Sequence, residues 1–465
     1  MGHNDAGMPL PSSASRVARP DRPLRIAIFD NLANNAYTQA KVFHRAGHPV
    51  DLVLDPLDRY VMSDPRWEDL DVELPTDQLL TATLPDCDLP PWVRREGAAE
   101  HHRDGGRVER NLGPLREAPS TWPAWWTAAR RAGWRGARMV LERAWVVRTL
   151  ADYDCVIAYG MGPVWAAVAG VPFVAETWGG DVTMLPFYDT GDWEGHETVA
   201  LPGPRSELFA QARLQRMGYE RAARILLTDP RFFAYAERLG HADKCVHLGF
   251  MIDVEKYSPG SEAELRSRLL GGREGLIVFV PSRQDWYWKG SDRLLRGFAA
   301  AAPERPDAVL VCAGWGADLE RSQELIAELG IADRVHLLPY AMSKGRLLRY
   351  YRAADVVADQ FTVGSYGSSA LEAMGCARPL LISLGLDRFA GRFASFPPVM
   401  NVSEPEQIAA AIRRLFADDH ARARLGEQAR QWVVENHGPA LALRVLELCR
   451  AAVGEANSRR HADAR

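Results

Sequence analysis

Two short stretches carry residues whose types and spacing suit anion chemistry. The first, GSYGSSALEAMGCARP (364–379), places Gly364 and Gly367 among small polar residues and runs into a helix bearing one acid, Glu372. Glycine lets the backbone turn tightly, so several N–H groups can face one oxyanion. Ser368 or Ser369 can cap the helix, and the helix dipole adds partial positive charge. Phosphate is a natural ligand for such a loop. Glu372 is flanked by Ala370, Leu371, Ala373 and Met374. A carboxylate on so apolar a helix needs a partner, and ribose hydroxyls would serve. The alternative is an ordinary Gly/Ser turn with an exposed glutamate.

The second stretch is PSRQDWYWKG (281–290). Arg283 ends a strand pattern and Lys289-Gly290 precedes a helix pattern, so both cations are expected on the carboxyl edge of a sheet, where open α/β domains bind ligands. Two cations beside a helix N-terminus can neutralise a diphosphate. Solvation is the alternative for either residue alone; together with the 364–379 loop they favour phosphate binding.

The elements that must position these groups repeat in two sets. LRIAIFD (24–30) is a continuous apolar strand of the kind buried on both faces of a parallel sheet. A loop, a helix ending near Gly47 and the strand VDLVLD (50–55) complete a βαβ unit. CVIAYG (155–160), VWAAVAG (164–170), PFVAETWGGD (172–181) and RILLTD (224–229) continue the alternation. After residue 248 it restarts, with GLIVFVPSR, AVLVCAG, RVHLLPY, DVVADQF and LLIS as strands between helical segments. Two doubly wound, Rossmann-like α/β domains in series are expected. The expected boundaries are a disordered leader over 1–22, a first domain over 23–248, a second over 249–430, a helix over 431–455 returning to the first domain, and a disordered tail over 456–465.

At 465 residues the chain is long enough for two cores, and 47% hydrophobic with 25% charged residues is an ordinary globular balance. The formal net charge of -4 argues against a general nucleic-acid binder. Six dispersed cysteines without a CxxC pair fit reduced cytosolic thiols. Residues 1–22 lack an apolar h-region, and no apolar run approaches the roughly 18–20 residues that span a bilayer. A cytoplasmic location is expected.

One region breaks the pattern. Residues 86–150 carry Trp92, Trp122, Trp125, Trp126, Trp134 and Trp145 with a locally basic balance, and look like an insertion in the first domain. A helical arm packed by its tryptophans is the plainer reading; an acceptor-binding lip is the sharper one, because exposed Trp and Arg suit sugar faces and anionic groups. Peripheral membrane contact is a weaker third, because arginines interrupt the apolar face of WRGARMVLERAWVVRTL.

The order and spacing of these motifs resemble the donor half of the family 4 glycosyltransferases, of GT-B fold. GFMIDVEKYSP, with Asp253, Tyr257 and Pro259, resembles their interdomain signature, and PSR…KG, VCAGWG, DRVHLLPY, YYRAADVVADQF and GSYGSSALEAMGCARPLLIS follow in family order over about residues 245–400. The first domain matches more loosely, through its strand–helix opening and PFVAETWGGD. The resemblance implies two domains facing a deep cleft and retaining, metal-independent transfer from a nucleotide-diphosphate sugar, UDP or GDP, to an acceptor hydroxyl of a saccharide or small natural product. It implies no cofactor and no nucleic-acid partner, and leaves the oligomeric state open. It gives Arg283, Lys289, Gly367 and Ser368 to the diphosphate, Glu372 to the ribose and Tyr340 and Ala341 to the base. The donor sugar falls to Gly364, Ser365 and Tyr366, and the acceptor to Asn34, Asn35, Trp178 and Gly179. Arg283, Lys289 and Asp181 form the implied catalytic set.

Three positions depart from the pattern. Gly364 stands where the family has the first glutamate of E-x7-E, leaving Asp359, Gln360 or backbone to hold the sugar. Trp178-Gly179 replaces a His-Gly while Asp181 remains, and Asn34-Asn35 replaces a Gly-rich loop, asparagine tolerating left-handed backbone better than most residues. Gly364 and Trp178, each removing a polar group that the family has, keep a non-catalytic GT-B scaffold open, and another GT-B chemistry, a sugar-nucleotide epimerase or a phosphorylase, is a third alternative. GWG (314–316), the acidic triplets DCD (86–88) and DYD (152–154), and His101-His102 lack the context of a dinucleotide or metal site.

Overall fold

The computed structural model of the chain describes residues 23–55, 60–95, 122–191 and 204–463. The leader, His101-His102 and the last two residues lie outside the described residues, as do the side chains of Trp122, Trp125 and Trp126.

The apolar runs become parallel strands because each is buried on both faces. The first sheet is built from β1 (Ile26–Phe29), β2 (Asp51–Val53), β4 (Val93–Arg94), β5 (Cys155–Ala158), β6 (Phe173–Thr177), β7 (Arg224–Leu227) and β8 (Cys245–His247), in the order β4-β2-β1-β5-β6-β7-β8. The second contains β9 (Ile277–Val280), β10 (Val309–Ala313), β11 (Val335–Leu338), β13 (Val356–Ala358), β14 (Leu380–Ile382) and β15 (Met400–Asn401), in the order β11-β10-β9-β13-β14-β15. Both are doubly wound α/β domains. VWAAVA, read beside the strands, lies in the helix Gly162–Ala169, whose every residue is buried, and Gly170 caps its end.

The helix Asp419–His437 packs on the second domain through Ala429, Trp432 and Val433. The next helix, Pro439–Asp463, returns to the first: Leu441, Ala442, Val445, Leu446, Cys449 and Ala452 complete the core over Ile26, Ile28, Leu52 and Ile157. The tail expected to be disordered from 456 is therefore helical as far as Asp463.

A third, two-stranded sheet was not foreseen. β3 (Glu73–Leu74), from the excursion between β2 and β4, pairs antiparallel with β12 (Ala341–Met342) of the second domain. Residues 60–84 thus form a strap from one domain to the other. Val61, Trp67, Leu79 and Leu84 close over Ala341 as a small core of their own.

Candidate functional site

β9 and β13 are neighbours, with Val356 opposite Val278 and Val357 opposite Phe279, so the loops leaving their carboxyl ends meet. Lys289 Nζ donates to Gln360 Oε1 at 3.0 Å, and Gln360 Nε2 holds the carbonyl of Ser365. Phe361 N donates to the carbonyl of Lys289 at 2.9 Å. Gly290 is needed at this junction: its φ is +64°, and a Cβ would lie 3.1 Å from Phe361 Cβ. Arg283 is 40% exposed and pairs with Asp285 at 2.9 Å, while Asp285 Oδ1 accepts from Trp288 N at 2.8 Å and shapes the turn. The structure therefore brings Arg283, Lys289 and the N-terminus of the helix Ser368–Gly375 to one sheet edge.

Gly367 is the N-cap of that helix, and a Cβ built on it meets nothing within 4 Å, so its side faces open space. Neither Ser368 nor Ser369 caps the helix; both sit inside its first turn. Gly364 has φ +73°, and its missing Cβ leaves room for Arg388, whose Nη1 would lie 3.2 Å away. Ser365 and Tyr366 do not line the cleft as expected. Both are buried, and the Tyr366 ring packs on Phe389 with its hydroxyl 3.2 Å from His437 Nε2. His437 Nδ1 lies 2.7 Å from the carbonyl of Phe250, which only accepts, so Nδ1 carries the proton and Nε2 accepts from Tyr366. Burial pushes His437 down to about 4.

Glu372 is 2% exposed, and both of its oxygens are engaged: Lys344 Nζ pairs with one, and Tyr351 OH donates to the other at 3.0 Å. The strap brings a second buried carboxylate close by. Glu68 pairs with Lys256 Nζ at 2.6 Å and accepts from Tyr257 OH at 3.2 Å. Burial raises Glu68, opposed by Lys256 and Lys344. For Lys344 burial pulls the other way, but the carboxylates of Glu372 and Glu68 prevail and hold its ammonium above the ordinary lysine value.

The strap also covers the loop given to the base. Ala341 is 1% exposed and stands opposite Leu74, and Ser343 N donates to the carbonyl of Val72 at 3.0 Å. Ser343 Oγ accepts from Val72 N at 2.9 Å and donates to the carbonyl of Leu70 at 2.6 Å. Arg346 meets Asp71 at 2.8 Å and Glu73 at 3.2 Å. Ala341 is thus enclosed by the chain itself; Tyr340 stays half-buried, its hydroxyl 3.1 Å from that of Tyr350.

In the first domain, Asn34 adopts the left-handed backbone expected of it, at φ +64°, but its side chain does not face an acceptor. It is 1% exposed and donates to the carbonyls of Met62 and Asp64 at 2.9 Å, anchoring the strap, while Asn35 donates to the carbonyl of Leu32 at 3.0 Å. Trp178 lies between Tyr159 and Phe250, with its indole Nε1 buried and unpartnered. Gly179 has φ +144° with open space at its Cβ. Asp181 accepts from Trp178 N at 3.0 Å and Gly179 N at 2.8 Å, so it shapes this loop, and burial pushes it up to about 6. Glu176, on β6, is raised by burial to about 7; Gln39 Nε2 donates to it at 3.0 Å, and Tyr159 OH donates to Gln39 Oε1 at 2.5 Å. This buried trio and the strap–Lys344 network escaped sequence reading, since their partners are far apart in the chain. Among the described residues no group of three or more His, Cys, Asp or Glu is placed to hold a metal ion, and no helix is long and apolar enough to cross a membrane.

Residues 262–432 match the family model of glycosyl transferases group 1. The match lies within the second domain. A D-inositol 3-phosphate glycosyltransferase of Mycobacterium sp. (strain JLS) is 39% identical over 142 residues, 29% of this chain and 30% of that protein. One of Corynebacterium urealyticum is 32% identical over 215 residues, 43% of this chain and 49% of that protein. The chain thus matches less than half the length of these curated relatives. Among solved structures, Anabaena Alr3699/HepE in complex with UDP aligns over 92% of this chain and all of that one, with TM-score 0.56 and 15% identity. The sucrose-phosphate synthase of Thermosynechococcus elongatus aligns over 93% of this chain and all of that one, with TM-score 0.56 and 18% identity. The two domains therefore have the GT-B fold.

Proposed function

We propose that the chain is a retaining, metal-independent glycosyltransferase moving a sugar from a nucleotide-diphosphate donor, UDP- or GDP-linked, to an acceptor hydroxyl. The observation carrying this reading is the junction of the β9 and β13 loops, where Arg283, Lys289 and the open N-terminus of helix Ser368–Gly375 share one sheet edge. Cations and backbone N–H groups held in place stabilise a departing diphosphate as charge builds on it. The relatives named for inositol 3-phosphate and the neighbour bound to UDP support a sugar-transfer chemistry of this class. A hydroxyl of a saccharide or small natural product is the acceptor, and the reaction is cytoplasmic. Glu372 serves the ribose by exchanging Lys344 or Tyr351 for ligand hydroxyls, and the base enters beside Tyr340 as the strap yields.

A second reading has one specific observation behind it. The strap consumes the polar groups of Ser343 and encloses Ala341, as a GT-B scaffold without catalysis would tolerate. Thermal shift against UDP-, GDP-, ADP- and dTDP-sugars, followed by transfer and hydrolysis assays, separates the two. Stabilisation by one nucleotide series with sugar transfer supports the enzyme. Silence across the panel rejects it in favour of the scaffold, and conversion of the donor sugar without acceptor points to an epimerase.

A further inference from the structure

A cavity of about 460 Å³ lies where residues of the two domains meet. Four elements line it: His247 at the end of β8, the loop Gly391–Ala394 of the second domain, the end of helix Asp419–His437 with Glu435, and the helix that returns to the first domain, with Leu441 and Arg444. Its volume falls in the range of small-molecule sites. Leu248, Leu441 and Phe393 give it an apolar floor, and the polar groups stand around it.

Among the described residues those polar groups are not balanced. Arg392 rests over the Phe233 ring at 4.2 Å, and among the described residues neither Arg392 nor Arg444 has a carboxylate partner. His247 Nε2 is buried without a hydrogen-bond partner among the described residues, its ring edge-on to Phe393 at 5.4 Å. A buried polar atom left unpaired costs free energy that a ligand can recover. Burial, Arg392 and Arg444 push His247 down to about 4 against the opposing pull of Asp229, which is itself paired with Arg231, so the imidazole is neutral and available as a hydrogen-bonding group. The one acid on the wall, Glu435, already accepts from Gln431. Among the described residues the cavity therefore has two guanidiniums without a carboxylate partner, one orphaned ring nitrogen and a small apolar floor.

We propose that this cavity binds a phosphoryl group, free or as a small phosphate ester, held by Arg392, Arg444 and His247 across the joint between the domains. Guanidinium suits a phosphate because its fixed fork gives two parallel charge-assisted bonds. A ligand there touches both domains at once and braces their relative position. None of residues 283–290 or 364–372 lines the cavity, so the proposal does not depend on the reading of the donor loops.

Isothermal titration of the full chain with inorganic phosphate, and separately with a hexose 6-phosphate, tests this. Because the donor loop also attracts phosphate, the titrations are run in the Arg283→Ala/Lys289→Ala chain as well as in the wild type. Binding is expected to persist in that chain, and Arg392→Gln and Arg444→Gln are each expected to weaken it at least about tenfold, the size of a lost charge-assisted pair. Both substitutions fall on exposed side chains, and unchanged melting temperatures without ligand show that the fold is kept. Tighter binding of the ester than of phosphate names an ester as the ligand, using the apolar floor; equal affinity names free phosphate. Binding lost in Arg283→Ala/Lys289→Ala but untouched by Arg392→Gln and Arg444→Gln would overturn the proposal, as would no binding of either probe.

Discussion

Lys344 is the counter-ion of Glu372: its ammonium pairs with one carboxylate oxygen while Tyr351 holds the other, and the strap from the other domain closes over the same helix. The acid with the best claim to a ligand is thus already satisfied inside the protein. Ligand binding at Glu372 must be an exchange of partners, and its strength depends on what Lys344 gives up.

Lys344→Met leaves Glu372 buried without its cation. Breaking a buried pair by removing one partner costs about 3–5 kcal/mol. A urea titration should show that loss, and Glu372→Gln/Lys344→Met together should recover much of it. An unchanged midpoint in Lys344→Met alone would mean that the pair is not formed in solution.

Gly345 lies under the strap, where a Cβ would come within 2.4 Å of the carbonyl of Leu70. Gly345→Ala must therefore push the strap off helix Lys344–Ala353. Overpacking of this kind costs about 1–3 kcal/mol. Hydrogen exchange over residues 60–84 should quicken in the variant while the central strands of both sheets stay protected. Protection equal to wild type in the strap would refute this contact.

Arg283→Ala and Lys289→Ala should each lower turnover by about 2–4 kcal/mol in barrier, a factor of roughly 30 to 10³. Stability should barely move for Arg283, which is 40% exposed and paired with the neighbouring Asp285. Steady-state rates beside melting curves separate the two effects. Wild-type rates in both variants would reject the diphosphate assignment.

Glu176 gives a pH dependence of definite sign. Its folded pKa is raised to about 7 by burial, above the roughly 4.5 of an unfolded glutamate, so its contribution to stability is complete below about 4.5 and is lost as pH rises through 7. Glu176→Gln cannot ionise and keeps an acceptor for Gln39. The stability difference between variant and wild type should shift in the variant's favour between about pH 4.5 and 7. A difference that stays flat across that window would show that Glu176 is ionised at an ordinary pKa in the fold.

Local pattern was enough for the architecture. Apolar runs such as IVFV and VLVCA can be satisfied only as strands buried on both faces, and their alternation with helices leaves a doubly wound sheet as the economical solution. The same locality made the Arg283–Lys289 loop and the 364–372 turn legible, since glycines, cations and a helix start lie within a few residues of one another. What the sequence could not decide was which polar groups remain open to a ligand. Asn34, Asp181, Tyr366 and Glu372 all read as site residues, yet each is engaged by partners between 2 and 71 positions away. The pairing of β3 with β12 joins residues more than 260 positions apart, between a short exposed-looking segment and a loop. Two-residue strands carry too little periodicity to announce themselves, and their hydrogen bonds exist only once the domains are docked. Only the tertiary structure could show that the chain closes over its own candidate base loop.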